Sequence, residues 1–101
     1  HCNGWCFTWS LAMVAGTHIC LRWVRAKAIY DAIADYKVTN ISGAPIVMAT
    51  LLGAKPEEKR EIRHRVSFNH AAAPPPQAVL DAMVAAGFDL THLYGLTETY
   101  G

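Results

Sequence analysis

Cysteine is scarce and odd in number, three in 101 residues, so complete pairing is excluded and the chain is not a disulfide scaffold. A reducing, cytoplasmic setting suits it. His1, Cys2 and Cys6 lie close together, with His18 and Cys20 further on. Structural zinc sites usually need a second tight cluster of ligands, and none follows, so the cysteines read as small buried apolar groups. An excess of either charge is also missing: the formal net charge is +1, with bases and acids interspersed. That leaves no electrostatic footprint for nucleic acid or an anionic membrane surface. The longest apolar stretch, Trp5 to Ala15, contains Thr8 and Ser10 and falls short of the roughly 20 residues that span a bilayer. It reads as a buried helix. No segment reads as a signal peptide or a low-complexity linker, and no Gly-x-Gly-x-x-Gly follows a strand, which argues against a dinucleotide-dependent oxidoreductase.

What is present is apolar and alternating. The hydrophobic fraction is 52%, above the ~45–50% of ordinary domains. The chain opens on His1 and stops within a glycine-containing motif, so residues 1–101 are expected to be one partial domain, truncated at both ends. Asn3-Gly4 can start a helix through Trp5, Phe7, Leu11 and Val14 that ends at Gly16. His18 to Arg22 reads as a first strand. Ile29, Tyr30 and Ile33 recur at helical spacing, with Lys37 suited to that helix end. Val38 to Ser42 is a second strand, and the helix after it carries Val47, Leu51 and Leu52 and stops near Gly53.

Glu57 to Arg63 places acids before bases and reads as a solvated helix or loop, with a Glu61 to Arg65 pair. Val66 to Asn69 is a third strand. Pro74-Pro75-Pro76 can supply the first turn of a helix whose stripe is Val79, Leu80, Met83 and Val84, ending at Gly87. Phe88 to Tyr94 is a fourth strand, with Phe88, Leu90, His92 and Tyr94 on one side. Strands separated by helices of this length predict an α/β fold, a parallel sheet of about four strands with helices on its faces.

Ligands of such sheets gather at the carboxyl ends of the strands. Three segments fall there: Gly43-Ala44-Pro45, His70-Ala71-Ala72-Ala73-Pro74 and Gly95-Leu96-Thr97-Glu98. Small Ala71, Ala72 and Ala73 let the backbone approach a flat heterocycle, although packing of the sheet against a helix accounts for them too. Tyr94 can stack on a base or serve as a core aromatic. Thr97 offers a hydroxyl to a phosphate and Glu98 a hard oxygen ligand to magnesium. An ordinary helix start explains the same two residues.

Several motifs occur together and in order. His1-Cys2-Asn3-Gly4-Trp5 resembles the His-x-x-Gly motif of acyl-CoA synthetases, Gly43-Ala44-Pro45 their pocket turn, Ala72-Ala73-Pro74 their adenine-binding Gly-Ala-Ala-Pro segment, and Tyr94-Gly95-Leu96-Thr97-Glu98 the Tyr-Gly-x-Thr-Glu signature of AMP-forming adenylating enzymes. The chain is thus identified, over nearly its whole length, as a member of that superfamily, within its large N-terminal domain. The resemblance implies an ATP-dependent carboxylic acid–CoA ligase with ATP/AMP, Mg2+ and CoA, acting through an acyl-adenylate. It implies that Tyr94 stacks on adenine, that Ala71, Ala72, Ala73, Pro74 and Gly95 border the nucleotide, that Thr97 contacts the AMP phosphate, and that Glu98 helps hold magnesium. Gly43 and Ala72 would border the acid, and His1 and Trp5 would shape its pocket or gate, a helix-start side chain facing solvent being the plain alternative for His1.

The His-Cys-Asn-Gly-Trp form looks most like the short- to medium-chain fatty acyl-CoA synthetases, including enzymes acting on methylmercaptopropionate. A luciferase-like or peptide-synthetase adenylation domain is the alternative within the superfamily, and a non-catalytic nucleotide-binding module the alternative outside it. Ala71 departs from the family pattern, since relatives typically have Gly there. If that position needs positive φ, Ala strains it, and the neighbouring His70 either contacts the nucleotide or fills space. The phosphate-binding loop, ribose-binding Asp, hinge and mobile-domain Lys of the family are not in this sequence, so the fragment alone is expected to be inactive and to need the rest of its parent chain. A homodimer is compatible with this reading.

Overall fold

The computed structural model describes residues 6–99. Strands β1 (Asn40–Gly43), β2 (Val66–His70) and β3 (Phe88–His92) pair in parallel, in the spatial order in which they occur along the chain. Parallel neighbours need crossovers, and two helices provide them. Helix α3 (Pro45–Leu52) leads from β1 towards β2, and α4 (Gln77–Ala85) joins β2 to β3. Two further helices, α1 (Phe7–Met13) and α2 (Ala26–Tyr36), precede the sheet, and 3-10 turns occupy Pro56–Glu58 and Thr97–Thr99.

The apolar periodicities decide what is buried. On α2 the stripe Ala26, Ile29, Tyr30 and Ile33 is buried, and Lys37 ends the helix in the left-handed region at φ 56°. The Tyr30 hydroxyl donates to the Leu51 carbonyl at 3.4 Å, tying α2 to the last turn of α3, and burial pushes its pKa up. Met48 and Leu51 of α3, Met83 of α4, and Val66 and Phe68 of β2 are fully enclosed. Each such side chain contributes about 1.5–3 kcal/mol through burial. Phe68 meets Phe88 edge-on at 6.0 Å, joining β2 and β3 inside the same cluster.

Register fixes the rows across the sheet. Ile41, Phe68 and Leu90 share one row, and Gly43, His70 and His92 the next row on the same face. The opposite face carries Asn40, Ser67 and Asp89, then Ser42, Asn69 and Thr91. A parallel sheet covered on both faces reads as continuous apolar runs; here the strands alternate, with one apolar face and one polar.

Several sequence expectations are corrected. Three strands form among the described residues instead of four, because residues 18–22 take no ladder partner and Ile19 and Leu21 stay substantially exposed. The first helix buries none of its residues, leaving Trp9 58% and Met13 87% exposed. Its expected start at Asn3-Gly4 lies outside the described residues. It ends by placing Ala15 in the left-handed region, with Gly16 N–H donating to the Leu11 carbonyl at 2.7 Å. Cys20 is exposed, contrary to the expected burial. Residues 59–65 are not helical, so the i,i+4 geometry is lost: Glu61 pairs with Arg63, and Arg65 reaches across to Asp89. The prolines precede α4 instead of forming its first turn, with Pro76 as its N-terminal cap residue. Strand β3 stops at His92, before Tyr94. Among the described residues no helix is long and apolar enough to cross a membrane.

Candidate functional site

The carboxyl ends of all three strands share one edge because Gly43 and His92 are both register partners of His70. From this row leave the three segments that the sequence singles out. At the first exit, a Cβ on Gly43 would lie 3.0 Å from Cβ and Cγ2 of Val47, so a larger residue there would need Val47 to give by a few tenths of an ångström. Ala44 caps that helix in an extended conformation and Pro45 opens it, as its fixed φ favours.

At the second exit, Ala71 is half-buried while Ala72, Ala73 and Pro74 are exposed, so the backbone there is open to a ligand. The left-handed residue is Ala72, at φ 75°, and not Ala71. The strain expected from alanine in this segment is therefore real but displaced by one position. His70 closes β2 and is 4% exposed. Its ring lies parallel to that of His92, with centroids 4.8 Å apart and 3° between the planes. Burial, followed by the charge of His92, lowers the His70 pKa, and its Nδ1 has no hydrogen-bond partner.

At the third exit, Leu93 N–H donates to the His70 carbonyl at 2.8 Å, one residue past β3. Tyr94 follows at 82% exposure, its ring available for stacking. Gly95 and Leu96 lead into the 3-10 turn opened by Thr97, which Thr99 closes by accepting from Leu96 N–H at 2.8 Å and donating to the Leu96 carbonyl at 3.0 Å. Glu98 is exposed and enters none of the ion pairs among the described residues.

No group of three His, Cys, Asp or Glu side chains gathers to hold a metal among the described residues. A single available carboxylate fits a cation that keeps water and substrate phosphates as its other ligands, as magnesium does. Of the expected acid-pocket residues, His1 and Trp5 lie outside the described residues, while Gly43 and Ala72 stand at two of the aligned exits. The His70–His92 stack was not legible beforehand: both histidines end apolar alternations, but only the register makes them neighbours. A separate cavity of about 610 Å³ runs along the free edge of β1, lined by Leu11, Ile19, Leu21 and Val24 on one side and by Ile33 and Ile41 on the other.

A profile of the AMP-binding enzyme family matches residues 1–101. Over its whole length the chain is 52% identical to an acetate–CoA ligase of Humulus lupulus and 50% identical to a peroxisomal acetate/butyrate–CoA ligase of Arabidopsis thaliana. It spans 18% of the length of each of these relatives. The crystal structure of the N-terminal domain of FACL13 from Mycobacterium tuberculosis superimposes with a TM-score of 0.79 at 22% identity, over 90% of this chain and 23% of that one. That likeness carries the α/β fold with its parallel sheet.

Proposed function

Because this chain belongs to the AMP-binding enzyme family, matched from its first residue to its last, we propose that its sheet edge is one wall of an acyl-adenylate pocket in a carboxylic acid–CoA ligase. The observation that supports this most is the shared row Gly43, His70 and His92, which sends the three motif-bearing segments out on the same edge. The overall reaction joins an acid to CoA at the expense of ATP. A carboxylate oxygen bonds to the α-phosphorus as the bond to departing pyrophosphate breaks; the CoA thiol then attacks the acyl carbon, losing its proton, and AMP leaves. Little covalent work falls to the protein, so catalysis is positioning and charge stabilisation.

In this reading Tyr94 stacks on adenine, and Ala71, Ala72, Ala73, Pro74 and Gly95 border the nucleotide, with the main chain of the alanine segment meeting the polar edge of the base. Thr97 donates to the AMP phosphate. Glu98 is the residue that would hold magnesium, which when bound neutralises developing phosphate charge. Gly43 and Ala72 border the acid, and His1 and Trp5 shape its pocket. The acid is short- to medium-chain, in line with the acetate and butyrate named for the relatives, and the methylmercaptopropionate-type ligases are the finer subtype. The 101 residues form a partial domain that requires the rest of its parent and is inactive alone, in a reducing compartment such as the cytoplasm.

Stacking on an aromatic ring is worth about 1–3 kcal/mol per base, which sets the size of the test. In the full-length protein, Tyr94→Ala is expected to raise KM for ATP by about tenfold or more, with KM for the acid little changed. An unchanged KM for ATP would remove Tyr94 from the nucleotide site.

A further inference from the structure

The segment after β3 carries the proposed stacking, phosphate and magnesium contacts, yet few main-chain bonds hold it among the described residues. Beyond the Leu93 to His70 hydrogen bond, the next main-chain bond among the described residues belongs to the Leu96–Thr99 turn, and Tyr94 between them is 82% exposed. Side-chain anchoring at the point of departure therefore matters. The last such anchor is the parallel stack of His92 on His70, whose 4.8 Å separation equals the natural spacing of neighbouring strands. Two flat rings on register-paired residues fill that spacing without distorting either strand. The ladder holds the His70 backbone in this row, while its ring is almost wholly enclosed and its Nδ1 has no hydrogen-bond partner. A polar-network role would give that nitrogen a partner, so the ring is better explained as a flat surface.

Resting on the nucleotide reading above, we propose that the stacked His70–His92 pair is the positioning element of that site, fixing the exits of β2 and β3 together and thereby fixing Tyr94 relative to Ala71–Ala73. Neither imidazole needs to touch the nucleotide. The pair acts as a planar clamp, and another flat apolar ring serves at position 92.

His92 is exposed, so it can be changed without emptying the core. In the full-length protein, His92→Ala and His92→Phe are compared with the parent by hydrogen–deuterium exchange of the peptide covering residues 88–99, without ligand, and by the KM and kcat for ATP. His92→Ala should raise exchange at Leu93–Gly95 severalfold and KM for ATP about tenfold while leaving kcat within about threefold. His92→Phe should restore both to within about twofold of the parent. Unchanged exchange and KM in His92→Ala would overturn the clamp, and so would His92→Phe behaving like His92→Ala. A parent protein with no saturable ATP dependence would instead overturn the nucleotide reading, and the proposal with it.

Discussion

Ala72 sits at φ 75°, where an L side chain crowds the neighbouring carbonyl at a cost of about 1–2 kcal/mol. Glycine avoids that crowding but loses about 0.5–1 kcal/mol of chain entropy. Ala72→Gly is therefore expected to raise the urea-unfolding stability by up to about 1 kcal/mol, whereas Ala71→Gly, at a residue without positive φ, should lower it by about 0.5–1 kcal/mol. The reverse order would relocate the strained position. His70 adds a pH dependence. Its folded pKa lies below the usual 6.5, chiefly through burial and secondarily through His92, so the unfolded chain binds the proton more readily. This contribution is intact above about pH 6.5 and is lost as pH falls through the folded value. Urea midpoints should thus decline from pH 7 to pH 5, and His70→Leu should flatten that decline. Asp31, whose pKa is lowered first by its hydrogen bond from Lys27, loses its contribution only below the usual 3.8 and does not intrude on this window. An equal slope in His70→Leu would assign the pH dependence elsewhere.

Among the elements, the junction of β1 and α3 is the tightest constraint on the candidate site. An alanine Cβ at position 43 would stand 3.0 Å from two carbons of Val47, so Gly43→Ala should destabilise by about 1–3 kcal/mol, and Val47→Ala in the same chain should recover most of the loss. Equal destabilisation of single and double variants, read by urea unfolding, would show that Val47 is not the obstacle. The regular elements were largely legible beforehand: Val66 to Asn69 was expected as a strand, and β2 runs one residue further to His70, while the helical spacing of Ile29, Tyr30 and Ile33 marked the buried face of α2. His18 to Arg22 failed for a physical reason, since a strand exists only with a partner, and apolar alternation does not name one. The charged run is a largely exposed loop, one of the two forms expected of it, and only the Glu61 to Arg65 pair failed: without helical spacing Glu61 pairs with Arg63, and Arg65 with Asp89 on β3.

As a whole molecule, the chain is a sheet with an apolar core on one side and the candidate site along one edge. It spans 18% of the length of the curated relatives it matches, and Trp9, Met13, Val14 and Trp23 are exposed apolar side chains. The strand exits and their small residues were readable in the sequence because glycines, alanines and prolines punctuate the ends of apolar runs. The alignment of those exits into one row, and the histidine stack across it, depended on pairing register, which sequence spacing does not determine.

The central claim, that this edge serves acid adenylation, is most directly tested by ATP–pyrophosphate exchange dependent on a short-chain carboxylic acid. The full-length protein should catalyse it, residues 1–101 alone should not, and Glu98→Ala should depress it at least tenfold at low magnesium with partial recovery as magnesium rises. Exchange that is absent from the full-length protein with every short- or medium-chain acid, or a Glu98→Ala rate equal to the parent's at all magnesium concentrations, would contradict the account.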